Sequence, residues 1–266
     1  PITPATDVLE WVAGHIEPLG GHLVQAEDEL SAVNMIIGGS YGGVPSMTAT
    51  SGPGLALMSE ALGLAITSET PIVVIDVMRG GPSTGIPTKS EQSDFNLAVY
   101  GMHGDAPHVV IAPSSISDTV LTGSWAVALA EALQTVVIVL SDQRIGQSIE
   151  VLPTPKECML ATKRQIRVSK GAYLRYLDTD TGISDMALPG DAEGIYTAEG
   201  LEHNTKGTPS PRNDDHLQQL EKRQRKLMTF DFGDEVSECF STENAECLLL
   251  CWGSVTASVR EAAKVL

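Results

Sequence analysis

The run Arg79-Gly80-Gly81-Pro82-Ser83-Thr84-Gly85-Ile86-Pro87-Thr88-Lys89 places two cations and three hydroxyl side chains within eleven residues. Its three glycines and two prolines exclude a helix or a central strand. It follows the apolar run Pro71–Val77, so it reads as a loop at the carboxyl end of a strand, where open α/β sheets bind their ligands. A guanidinium grips a carboxylate through two parallel hydrogen bonds, which suits Arg79 to a small anionic substrate. A solvated surface loop with a polar rim has the same composition.

A second candidate is Glu29, in Glu27-Asp28-Glu29 at the start of a helix. The helix dipole favours carboxylates there and accounts for Glu27 and Asp28. Glu29 stands where the small residues Ser31 and Ala32 lead into an apolar face, and a carboxyl buried at such a border is equipped for proton exchange. Helix-end electrostatics remains the alternative. The turn Ser51-Gly52-Pro53-Gly54 lies between a strand and a helix, an arrangement that exposes backbone N–H groups to an anion or a flat ring. It is neither a dinucleotide fingerprint nor a Walker loop, and Gly38–Gly43 ends a helix instead of opening one.

Six histidines are dispersed without HxxxH or HExxH spacing, so neither a metal site nor a His-based triad is expected. His103 and His108 fall near the ligand edge and read as core or surface residues. Cys158, Cys239, Cys247 and Cys251 form no CxxC pair and fit neither a zinc ribbon nor an iron–sulfur run. They read as reduced thiols of a cytoplasmic protein.

The elements that must hold these residues follow from periodicity. Helical segments are expected at 5–17, 28–43, 55–68, 94–101 and 116–133. Strands are expected at 22–25, 45–50, 71–77, 108–112 and 135–140. Such alternation predicts an α/β domain over residues 1–150, a parallel sheet flanked by helices. Residues 151–246 hold few apolar runs and read as an extended linker. Asn213–Met228 within it is expected to be a charged, solvent-facing helix, with acidic residues at its start and basic ones at its end. The apolar run Cys247–Trp252 is expected to be a strand opening a second α/β domain over 247–266. Both ends of the chain look cut.

The chain has 266 residues, 42% hydrophobic and 19% charged, as in ordinary globular proteins. A formal charge of −17 argues against nucleic acid and anionic membrane surfaces as partners. No apolar run reaches the ~18–20 residues of a membrane span.

Taken together, Pro1-Ile2-Thr3-Pro4, Gln25-Ala26-Glu27-Asp28-Glu29, Thr48–Gly54 and Arg79–Gly85 resemble the alpha subunit of 2-oxoacid:ferredoxin oxidoreductases, most of all the 2-oxoglutarate enzymes. The resemblance continues through Gly200-Leu201-Glu202-His203-Asn204, Lys222-Arg223 and Trp252-Gly253-Ser254. It implies a thiamine diphosphate enzyme whose pyrimidine-binding domain is the parallel sheet, followed by the start of a transketolase C-terminal-like domain. Glu29 matches the glutamate that hydrogen-bonds N1′ of the aminopyrimidine. Thr50, Ser51 and Gly52 would lie beside that ring. Arg79 would pair with the substrate 1-carboxylate, the Thr3 hydroxyl would hold a substrate oxygen, and Thr84 and Thr88 would line the pocket for a distal carboxylate.

The chain has no GDG followed by paired asparagines and no cysteine cluster. The resemblance therefore assigns Mg²⁺, the diphosphate site and the iron–sulfur cluster to a beta subunit, with ferredoxin, coenzyme A and the 2-oxoacid as further partners. A pyruvate or broad-specificity enzyme and a non-catalytic scaffold subunit are the alternatives.

Overall fold

The computed structural model describes residues 2–153, 163–168, 170–233, 236–240 and 246–265. Its centre is a four-stranded sheet of β1 (Met47–Thr50), β2 (Ile72–Met78), β3 (Val109–Ile111) and β4 (Val136–Asp142). The strands lie in the order β1-β2-β4-β3, and every pairing is parallel. Central parallel strands are covered on both faces, so their sequences are near-continuous apolar runs. β4, Val-Val-Ile-Val-Leu-Ser-Asp, is buried throughout, and β2 is nearly so.

The two-residue repeat of a strand sends alternate side chains to opposite cores. Ile72, Val74, Met78, Ile138 and Leu140 meet Val33 of α2 (Glu29–Tyr41) and Leu55, Met58 and Leu62 of α3 (Gly52–Thr67). Val73, Val137 and Val139 meet Ala126, Leu129 and Leu133 of α5 (Ile116–Leu133). α1 (Thr6–His15) and the short α4 (Phe95–Tyr100) and α6 (Gln143–Gly146) complete this unit. Among the described residues, no helix is long and apolar enough to cross a membrane.

Helix starts are capped by side chains where the sequence supplies them. Asp28 accepts from the Ser31 N–H at 2.7 Å, and Ser115 accepts from the Asp118 N–H at 3.1 Å. Ser51 holds the capping position of α3 but does not cap it, because its hydroxyl instead donates to the Val77 carbonyl at 2.8 Å.

Four expectations change. His22–Gln25 is irregular and exposed, because β1 is the sheet's edge and pairs with β2 alone. The run at 247–252 forms no strand either, and Leu248 and Leu250 are 80% and 93% exposed, with no neighbouring strand to receive them. α3 begins at Gly52 rather than Leu55, since Pro53 is compatible with the first helical turn.

The expected solvent-facing helix, α7 (Asn213–Thr229), turns one face inward. Gln219, Lys222, Arg223 and Lys226 are buried, and the two lysines reach the fully buried Glu69 just beyond α3. Lys222 Nζ lies 2.6 and 2.7 Å from the two Glu69 carboxyl oxygens, and Lys226 Nζ lies 2.5 Å from Oε2. Arg175 donates to the Glu69 carbonyl at 2.8 Å. Long lysine stems cover apolar surface while the ammonium heads find a shared carboxylate, so a hydrophilic sequence still has a buried face. Arg164 makes a similar tie, bidentate to Glu131 of α5 at 2.7 and 2.9 Å. Buried charge thus helps to fasten residues 163–168 and 170–230 to the sheet unit, beside the apolar packing of Ile183, Leu227 and Phe230 against the α5 core. Cys158 lies outside the described residues.

Candidate active site

β1 ends on Thr50, and the chain passes through Ser51 into the first turn of α3 at the carboxyl edge of the sheet. Thr50, Ser51, Gly52 and Gly54 are all buried. The Ser51 hydroxyl fastens the turn to β2 through the Val77 carbonyl. Glycine is required twice here. A Cβ on Gly54 would collide with the Thr50 hydroxyl and sit 2.7 Å from Cγ and 3.1 Å from Oε1 of Glu29. A Cβ on Gly52 would collide with the Asp94 carboxylate. The half-buried Glu29 side chain therefore rests against the glycine-lined start of α3, with Thr50 beside it. Asp28 holds Glu29 in that place by capping α2.

β2 ends one residue before Arg79, which is buried although charged. Its Nη1 donates to the Thr3 carbonyl at 2.7 Å, across a separation of 76 residues. It is the carbonyl, not the hydroxyl, of Thr3 that meets the guanidinium, and the Thr3 side chain is exposed. Arg79 Nε has no hydrogen-bond partner among the described residues.

The loop after Arg79 closes on itself. The Gly80 N–H donates to the Lys89 carbonyl at 3.0 Å, the Ile86 N–H donates to the Gly80 carbonyl at 3.1 Å, and the Gly81 N–H donates to Glu91 Oε2 at 3.1 Å. Gly85 has φ +72°, and a Cβ there would collide with the Gly80 carbonyl. Ser83 and Thr88 also have positive φ, at 58° and 39°. A β-branched residue in that region is an outlier, and such outliers gather in functional loops. Thr84 is exposed and Thr88 half-buried. Both stand on the closed loop that begins with Arg79.

His108 and the 200–204, 222–223 and 252–254 motifs have structural partners. The His108 ring nitrogens lie 2.8 and 2.6 Å from the carbonyls of Ala106 and Ala98. Glu202 accepts from both terminal nitrogens of Arg223, at 3.1 and 2.7 Å, and the His203 ring packs against Tyr176 at a tilt of 34°, with ring centres 3.8 Å apart. Lys222 belongs to Glu69. The 200–204 and 222–223 motifs thus build the tie between α7 and the sheet unit. Trp252 packs against Phe95 at 5.4 Å, and its carbonyl accepts from Gln92 at 3.0 Å, which brings the 252–254 motif to the far end of the Arg79 loop. Among the described residues, no cluster of three or more metal-ligating side chains occurs.

Sequence reasoning missed Asp76 and Asp94. Both are carboxyls at this edge, and the only signal was a lone acid inside the apolar run Ile72–Met78.

A parallel sheet whose carboxyl edge offers a carboxylate beside a glycine-lined helix start, with a buried guanidinium after the next strand, defines an α/β protein with a ligand-binding type of edge. The comparisons agree. The family described as "Pyruvate flavodoxin/ferredoxin oxidoreductase, thiamine diP-bdg" matches residues 1–221, and the chain belongs to it. It is 37% identical to "2-oxoacid:ferredoxin oxidoreductase 1, subunit alpha" of Sulfurisphaera tokodaii, over 98% of this chain and 44% of that protein. It is 35% identical to "2-oxoglutarate synthase subunit KorA" of Methanothermobacter marburgensis, over 100% of this chain and 71% of that protein. The solved 2-oxoglutarate:ferredoxin oxidoreductase from Magnetococcus marinus, with 2-oxoglutarate, coenzyme A and succinyl-CoA bound, superposes with a TM-score of 0.82 at 46% identity. That match covers 87% of this chain and 41% of the other. The chain spans less than half of two of these three relatives.

Proposed function

We propose that the chain supplies the pyrimidine-binding half of the active site in the alpha subunit of a 2-oxoglutarate:ferredoxin oxidoreductase. The complete enzyme converts 2-oxoglutarate and coenzyme A to succinyl-CoA and CO₂ and reduces ferredoxin, or runs the reverse reaction. The observation that carries this reading is the Glu29 carboxyl lying against Gly54 and Thr50.

The residues fit the cofactor. The Ser51–Gly54 turn stands at the carboxyl edge of the sheet, packed by Asp94 at Gly52 and by Thr50 at Gly54, and Glu29 is the carboxyl beside it. When bound, thiamine diphosphate supplies an electron sink for cleaving the bond between the 2-oxoacid carbonyl carbon and its carboxylate. Glu29 holds a proton at N1′ of the pyrimidine. Thr50, Ser51 and Gly52 form the wall beside the ring. Arg79 binds the 1-carboxylate of the substrate through its guanidinium, one nitrogen of which already holds the Thr3 carbonyl. The Thr3 hydroxyl holds a substrate oxygen, and Thr84 and Thr88 receive the distal carboxylate.

A beta subunit provides Mg²⁺, the diphosphate site and the iron–sulfur cluster, so the active site is completed between chains in the cytoplasm. The pyrimidine-binding domain spans 1–150, 151–246 links it onward, and 247–266 opens a transketolase C-terminal-like domain.

Reconstitution with the beta subunit tests the reading. Glu29→Ala is expected to lower kcat by at least ~10²-fold, the typical contribution of a positioned acid or base. Activity within threefold of wild type would remove Glu29 from this role.

A further inference from the structure

The segment 89–93 holds the main chain that follows Arg79. The Lys89 carbonyl accepts from the Gly80 N–H at 3.0 Å, Glu91 Oε2 accepts from the Gly81 N–H at 3.1 Å, and the Ser93 hydroxyl donates to the Arg79 carbonyl at 3.5 Å. A Cβ on Gly80 would sit 3.0 Å from Glu91 Oε2, so this segment lies close against the glycine backbone. These links fix the peptide from which the Arg79 side chain departs, while the guanidinium itself is held separately by the Thr3 carbonyl.

Gln92 is the member of this segment that reaches beyond the loop. Its half-buried amide donates to the Trp252 carbonyl at 3.0 Å, across 160 positions. The same Nε2 lies 2.5 Å from where a Cβ of Gly253 would stand, and Gly253 has φ +67°, so both close approach and backbone conformation select glycine there. Just beyond Gln92, Phe95 at the start of α4 packs against the Trp252 ring. Trp252 in turn packs against the core built from α3 and β2, and Gly253 and Ser254 are buried. The turn at Trp252–Gly253 is therefore a fixed anchor, although Leu248–Leu250 just before it are exposed.

We propose that Gln92 is a positioning residue for Arg79: by tying the segment 89–93 to the Trp252–Gly253 turn, it sets where the guanidinium meets the substrate carboxylate. The proposal rests on the reading of Arg79 as the partner of that carboxylate. A planar guanidinium grips a carboxylate well only in a defined orientation, and a loosened peptide spreads the side chain over poses of which few are productive. Thr3 secures one nitrogen of the fork. Gln92, acting through Glu91 and Ser93, secures the main chain at the other end of the side chain.

Hydrogen exchange and steady-state kinetics of the full chain assembled with its beta subunit test the two halves of this proposal. Gln92→Glu keeps the volume of the side chain and removes the N–H donor, and Gln92→Ala removes both. Each variant is expected to speed exchange of the Gly80, Gly81 and Ile86 amides about threefold to tenfold, the worth of one neutral hydrogen bond, with the amides of α5 unchanged. Each is also expected to raise the KM for 2-oxoglutarate about threefold to tenfold while kcat stays within about twofold, as when binding common to ground state and transition state is lost. Wild-type exchange rates in Gln92→Glu would overturn the tie. Faster exchange with an unchanged KM would overturn the positioning role. Arg79→Lys, measured alongside, separates this from the reading beneath it. An unchanged KM in Arg79→Lys would overturn the substrate role of Arg79 and the positioning role together, and faster exchange in the Gln92 variants would then leave only the tie standing.

Discussion

The Arg79 guanidinium donates to the main-chain carbonyl of Thr3 at 2.7 Å, joining the amino-terminal turn to the end of β2. One nitrogen of the fork is committed to the fold, and Nε has no hydrogen-bond partner among the described residues. The residue is thereby aimed before any substrate arrives, which limits the entropy lost on binding.

Arg79→Lys is the sharpest test of that geometry. A lysine ammonium is a point donor and cannot hold Thr3 and a carboxylate through a planar fork. The KM for 2-oxoglutarate of the reconstituted enzyme is expected to rise about tenfold to a hundredfold, the worth of one charge-assisted bond. An unchanged KM would show that the carboxylate binds elsewhere.

Gly54→Ala inserts a methyl group between Thr50 and Glu29. Overpacking of this kind costs ~1–3 kcal/mol, and here it also displaces the Glu29 carboxyl. The expected result is a lowered melting temperature and weaker thiamine diphosphate binding by isothermal titration, with kcat falling further than stability alone explains.

Thr88 tests substrate choice. Thr88 is half-buried, and a hydroxyl that becomes desolvated against a distal carboxylate discriminates against substrates lacking that group. Thr88→Val is expected to lower the kcat/KM preference for 2-oxoglutarate over pyruvate by about tenfold or more. An unaltered ratio would assign the distal carboxylate to other residues.

Glu69→Gln probes the fastening of α7. It leaves Lys222, Lys226 and Arg175 buried without their shared anion. Removing one partner of a buried ion pair costs ~3–5 kcal/mol, so chemical denaturation should report a loss of that order. The carboxyl lies well below the usual range. Burial opposes its ionisation, but Lys222, Lys226 and Arg175 together outweigh burial. Its contribution is therefore complete above the unfolded glutamate pKa and fades as pH falls through the folded value.

Lys226 gives a slope of the same sign at higher pH. Burial pushes its ammonium down to about 7, against the pull of Glu69 and with the help of Lys222. Above that value the native state has released a proton that the unfolded lysine retains, so stability climbs with pH from about 7 toward the ordinary lysine pKa. Melting temperatures measured from pH 6 to pH 9 should rise in the wild type, and this rise should flatten in Lys226→Met. A flat wild-type profile would mean that Lys226 stays charged throughout.

Local sequence alone determined the parallel sheet. β2 and β4 are apolar runs long enough to span a core and wide enough in pattern to be covered on both faces. The glycines of Ser51–Gly54 and the loop from Arg79 to Lys89 were equally legible, since close approach and positive φ select glycine locally. Tertiary structure decided what those local signals could not contain. His22–Gln25 has strand-like residues but no ladder partner, and hydrogen-bond partners are supplied by other segments. α7 reads as polar all round, yet Lys222 finds Glu69 across 153 positions and its face turns inward. Thr3 meets Arg79 through a backbone carbonyl, a group every residue possesses and no motif can signal. Asp76 was buried without a hydrogen-bond partner, and Asp94 set against Gly52, only by the tertiary packing, because the energy of a buried charge depends on which neighbours the fold brings to it.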